Sequence, residues 1–125
     1  MALKDLIVDE KEMTEDVLQK TLEPYVHFSQ EGKVLMNKDF RALPVRKQIL
    51  VYLAAKKAWD LISGQKTGGY VSNSELQQTL NVPGGTLRPR IKEMRDGGFI
   101  VSREGRHTIS DTAPDYILGG SSGEE

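Results

Sequence analysis

Apolar positions along this chain fall into blocks whose spacing changes from segment to segment. Residues 3–23 open with Leu3, Leu6 and Ile7, pass through an acidic stretch, and then place Val17, Leu18 and Leu22 on one helical face. That pattern predicts helix, with Thr14 able to cap a second piece and Pro24 as the stop. YVHFS and KVLMN are β-prone runs on either side of QEG, and they predict a hairpin over 25–37. Residues 37–43 read as a connection. Pro44 suits a first helical position, where its missing N–H costs nothing. A long helix is expected from Pro44 to about Ile62, ending at Ser63-Gly64. Its middle, ILVYLAA, is apolar nearly all round, which places this helix at the centre of the domain and Trp59 with the core.

After the QKTGG loop, Tyr70 and Val71 predict a short strand. Ser72 and Glu75 match a capping box, in which the acid reaches back to the N–H of the cap residue. A short helix is expected to about Leu80, with Leu76 and Leu80 inward. Residues 81–85 form a turn, and a second helix runs to about Asp96. Leu87, Ile91 and Met94 give that helix one apolar face, and Gly97-Gly98 ends it. FIVSR, a tight Glu104-Gly105 turn and RHTIS then make a small hairpin. With Ile91 at the centre of the buried face, Gly85, Thr86, Pro89, Glu93 and Asp96 point outward, flanked by Arg88, Arg90 and Lys92. A proline inside a helix costs ~3 kcal/mol. Pro89 escapes that cost if Thr86 is the N-cap, which leaves Gly84-Gly85 in a loop.

Composition narrows the chemistry. The 125 residues amount to one domain. The absence of cysteine excludes a disulfide scaffold, a thiolate zinc site and a cysteine nucleophile. No apolar run approaches the ~20 residues of a membrane span. The N-terminus carries acids where a secretory signal needs apolar residues, so a cytoplasmic location is expected. His27 and His107 are isolated, which argues against a metal site. PGG lacks the Lys and Ser/Thr of a nucleotide-binding loop. No serine or carboxylate pattern suggests catalysis, and neither an enzyme nor a cofactor is expected. The net charge of -1 conceals segregation: residues 1–31 hold three Lys and eight acids, residues 32–63 seven Lys/Arg and two acids, residues 64–110 seven Lys/Arg and four acids, and residues 111–125 four acids and no base. A basic middle between acidic ends suits a nucleic-acid surface with acidic appendages, or merely solvated helix faces.

The stretch VSNSELQQTLNVPGGTLRPRIKEMRDGGFIVSREGRHTIS, over about 71–110, resembles the winged helix-turn-helix DNA-binding domains of prokaryotic transcription regulators. The long helix from residue 44 extends the match. The resemblance implies a mainly α fold with a small β component: an N-terminal acidic helix and hairpin over 1–37, a winged helix-turn-helix domain over 38–112, and a flexible acidic tail over 113–125. It implies binding to double-stranded DNA, sequence-specific or architectural, by a transcriptional regulator. The helix at about 84–96 would lie in the major groove and the 99–110 wing on the phosphates. Thr86, Arg88, Arg90 and Lys92 would be helix contacts, with Gly85 small enough for close approach. Arg103, Arg106 and His107 would be wing contacts. Ser72 and Asn73 would sit at a helix N-terminus able to hold a phosphate. The bland readings are a solvated helix face and charges that blunt an edge hairpin. The alternative function is a winged-helix protein–protein interaction module, an adaptor or assembly subunit, that binds no DNA. A homodimer through the N-terminal segment or residues 114–118 would double the footprint on DNA.

Overall fold

The structure, a computed structural model, describes residues 10–65 and 67–110. The expectations for Leu3, Leu6 and Ile7, and for the tail with its 114–118 segment, lie outside the described residues. The fold is mainly α with two small antiparallel sheets. Among the described residues, no helix is long and apolar enough to cross a membrane.

Helix α1 spans Glu10–Leu22 without a break at Thr14, so no second helix starts there. Leu18 and Leu22 are buried, and Pro24, which cannot donate an N–H, follows its end. The hairpin forms as the two β-prone runs predict: β1 (Val26–Phe28) pairs with β2 (Val34–Met36), Val26 opposite Met36. Gly32 holds φ +91° in its turn, and a Cβ there would overlap the Trp59 indole. Trp59 is thus only half-buried, packed under the hairpin with its ring centroid 5.5 Å from that of Phe28.

The expected connection at 37–43 contains a short helix, α2 (Lys38–Arg41). Asn37 caps it, accepting from the Phe40 N–H at 2.9 Å while its amide donates to Pro24 O at 2.8 Å. Phe40 is driven fully into the core. Helix α3 (Val45–Ser63) is the central helix, with an unbroken run from Ile49 to Ala55 buried. Pro44 is its N-cap rather than its first helical residue, with extended ψ of 155°. Gly64, at φ 72°, ends it in the left-handed conformation that glycine tolerates.

A two-residue strand β3 (Val71–Ser72) leads into α4 (Asn73–Leu80). Helix α5 (Gly84–Asp96) follows, then β4 (Ile100–Arg103) and β5 (Arg106–Ile109). The sheet order is β3-β5-β4. One apolar core joins all of this: Leu18, Leu22 and Val26 belong to the same cluster as Phe40, Leu53, Leu76, Leu87 and Ile109. The acidic N-terminal helix and its hairpin therefore share the core of the residues that follow.

The loop from α3 to β3 is tied down by a carboxylate that the sequence pattern did not single out. Asp60 is 7% exposed and accepts from Thr67 N and Oγ1, both at 2.6 Å, and from Gly68 N at 3.1 Å. Burial alone would raise its pKa. The hydrogen bonds from Thr67 and Gly68, with Lys57 nearby, outweigh burial and hold it below the usual value. Thr108 on β5 donates to Gly68 O at 2.9 Å, which fastens the same loop to the sheet.

Candidate nucleic-acid interface

The expected helix phase of α5 holds. Leu87, Ile91 and Met94 are buried, while Gly85, Thr86, Arg88, Pro89, Lys92, Glu93 and Asp96 are exposed. The helix begins earlier than the proline argument required. Pro83 is the N-cap, and the N–H groups of Thr86 and Leu87 both reach its carbonyl, at 3.0 and 2.9 Å. Thr86 is therefore not the cap, and Gly84 and Gly85 are the first two helical residues. Pro89 lies inside the helix and cannot donate to the carbonyl four residues back, on Gly85. Gly85 is exposed, so water can satisfy that carbonyl and the defect costs less than it would in a core.

At the other end of α5, Gly98 takes φ +86°. Phe99 N donates to Met94 O at 2.8 Å and Gly98 N to Arg95 O at 3.1 Å. This is a Schellman closure, and it turns the chain directly into β4. The β4–β5 turn places Glu104 at φ 52° and Gly105 at φ 78°, both positive as a type I′ hairpin requires. Arg103 and Arg106 are cross-strand partners flanking that turn, and both are exposed.

The basic side chains differ in how freely they present their charge. Arg88 and Arg106 have no ion-pair partner among the described residues. Arg103 lies over the Tyr70 ring, 5.5 Å from its centroid, which orients the guanidinium without neutralising it. Lys92 pairs with Asp96 at 3.1 Å, and Arg90 approaches Glu93 at 3.5 Å. Glu93 also takes Arg46 of α3 at 2.8 Å, and that hydrogen bond is the main reason its carboxyl lies below its usual pKa. Exposed pairs of this kind are worth ~0–1 kcal/mol, so Arg90 and Lys92 can exchange their partners for phosphates at small cost.

Three expected contacts are occupied inside the fold instead. His107 is buried, at 4% exposure. Its Nδ1 is 2.7 Å from Ser102 Oγ and its Nε2 is 2.8 Å from Asn73 Oδ1. Asn73 Oδ1 can only accept, so Nε2 carries the proton and the Ser102 hydroxyl donates to Nδ1. Burial, with a smaller contribution from Arg95, lowers the His107 pKa and favours this neutral form. The ring joins β4 and β5 to the start of α4, so the expected contact of His107 with DNA is not presented to a ligand. Asn73 is committed to that ring. The Ser72 hydroxyl accepts from Glu75 N at 3.2 Å, the expected half of the capping box. In place of the other half, Glu75 Oε2 accepts from the Tyr52 phenol at 2.6 Å and lies 3.3 Å from Lys56 Nζ. With one N–H capped and a carboxylate in its first turn, the α4 N-terminus is a poor anion site.

The structure thus leaves Gly85, Thr86, Arg88, Arg103 and Arg106 as the exposed candidates, with Arg90 and Lys92 held in exchangeable pairs. Tyr70, Arg46 and Arg95 escaped the sequence pattern, because what matters about each is a neighbour distant in sequence. Comparisons of the chain with protein-family models, with curated proteins and with solved structures return no match.

Proposed function

We propose that this chain is a winged helix-turn-helix protein that binds duplex DNA through the start of α5 and the β4–β5 hairpin, as a regulator of transcription. The element order from α3 to β5 and the sheet order β3-β5-β4 support the reading. So do the charges of Arg88 and Arg106, which have no ion-pair partner among the described residues.

One observation carries it. Gly85 is exposed and helical, has no positive φ, and a Cβ built on it would meet nothing of the described residues within 4 Å. Neither its conformation nor packing among the described residues requires a glycine there. Glycine weakens a helix relative to alanine by roughly 0.5–1 kcal/mol. A bare backbone at this point instead suits close approach by a ligand. The first two N–H groups of α5, on Gly84 and Gly85, have no partner in their own helix and carry the positive end of its dipole. A phosphate seated there is flanked by Thr86 and Arg88. This arrangement favours phosphate positioning over base reading.

The test is binding to mixed-sequence duplex DNA, followed by fluorescence anisotropy across a salt series. Affinity should fall steeply with salt, with a logarithmic slope of about -0.9 for each phosphate neutralised. Arg88→Ala should weaken binding to every sequence and flatten that slope by about one phosphate. No binding at low salt would overturn the reading.

A further inference from the structure

We propose that the trough between α1 and the last turns of α3 is a docking site for a basic amphipathic helix of a partner protein. The trough has a volume of about 370 Å³ and uses none of the residues assigned to the DNA surface. Along α1 its wall is Glu15, Leu18, Gln19 and Leu22, spaced i, i+3, i+4 and i+7 over two helical turns. The facing wall is Ala58, Leu61 and Ile62 of α3, again at i, i+3 and i+4, and β1 closes one end. Leu18, Leu22 and Ala58 form the buried floor of the trough, and Leu61 and Ile62 give it an accessible apolar edge on which a third helix can lie. Ile62 is 64% exposed, more than any other large apolar residue described.

Charge decides the occupant. Glu15 and Glu23 are exposed on the rim, and among the described residues no Lys or Arg lines the trough. An apolar helix edged with Lys or Arg would bury its face on Leu61 and Ile62 and set its cations against the two acids. A second copy of this chain docked through the same face would crowd Glu15 and Glu23 against their own counterparts. The chain's own residues 111–125 carry four acids and no base, so they meet the same repulsion.

The experiment uses the full chain and two labelled probe peptides in fluorescence polarisation. Both peptides are helical with Leu at i, i+3, i+4 and i+7. One carries Lys on each flank of the apolar stripe, and the other carries Glu. The Lys peptide should bind at least ten-fold more tightly than its Glu twin. Ile62→Ser, at an exposed position, should weaken the Lys peptide by at least ten-fold, and Glu15→Lys with Glu23→Lys should invert the preference. Equal binding of the two peptides, binding of neither, or indifference to Ile62→Ser would overturn the proposal. A dimer in sedimentation that Ile62→Ser dissociates would assign the trough to a second copy and overturn it as well. Binding that appears only after Tyr116, Ile117 and Leu118 are replaced by Ser would assign it to the tail, with the same consequence.

Discussion

Gly85→Ala separates the needs of the fold from the needs of the proposed ligand. The added methyl enters open space, because none of the described residues lies within 4 Å of its position. The backbone there is already helical, so no strain is introduced. The expected gain is the difference in helix propensity, roughly 0.5–1 kcal/mol. For 125 residues at ~2.1 cal/mol/K each, that raises Tm by about 2–4 °C. DNA binding should move the other way. A methyl standing over the N–H groups of Gly84 and Gly85 holds a phosphate off, and a lost hydrogen bond to a charged group is worth ~1.5–3 kcal/mol. Affinity should therefore fall about ten-fold or more. Thermal unfolding and anisotropy on the same preparation read both effects, and Gly85→Gln should enlarge the loss of binding. A more stable variant that binds DNA as well as the parent would remove the start of α5 from the contact surface. A less stable variant would show that Gly85 serves the fold after all.

Three further outcomes test the fold and its polar ties. Leu87→Ala should cost ~2–5 kcal/mol in urea unfolding, because Leu87 is fully buried; a variant as stable as the parent would refute the phase of α5. Acidification below 6.5, the usual pKa of His107, should lower Tm progressively, since its folded pKa is depressed and the unfolded chain takes up the proton first. His107→Gln keeps one donor and one acceptor for Asn73 and Ser102, so it should flatten that slope; an unchanged slope would place the titration elsewhere. Asp60→Asn should destabilise the chain at neutral pH by setting an amide donor against the N–H groups of Thr67 or Gly68. Asp60 is depressed below 3.8, so its contribution is present above that pH and is lost as pH falls through the lower folded value. The gap between parent and variant should close in acid, and a gap that persists there would refute the ionic origin of the tie.

Local patterns determined most of the architecture. The all-round apolar run 49–55, the glycines at 64 and 98, and the Ser72 cap were legible because each is a property of a few adjacent residues. So was the Glu104-Gly105 turn, since positive φ at two successive residues has few sequence solutions. The face of α5 followed from its 3.6-residue period alone. Helix α2 was missed because its four residues are too short for any period. The cap from Asn37, the burial of Phe40 and the Gln48 amide on Arg41 O, 3.2 Å away, hold it in place. Helix α5 begins at Gly84, as the 84–96 range had it, and only the conditional later start with Thr86 as cap did not occur. The proline rule assumes that a lost hydrogen bond is costly, and exposure of Gly85 to water reduces that cost.

For the candidate site, sequence determined which residue types were present and tertiary structure decided which were free. The Lys92–Asp96 pair, four residues apart on one helix, lay within reach of the sequence pattern, but the longer-range ties did not. His107 read as a wing cation, and three elements meeting around it made it a neutral buried ring. Arg46 meets Glu93 across 47 positions and Asn73 meets His107 across 34. Periodicity and capping rules reach only a turn or a hairpin along the chain. Whether a polar side chain faces water, a ligand or another buried group is fixed by the packing of distant segments, and the sequence alone carries no short-range signal of it.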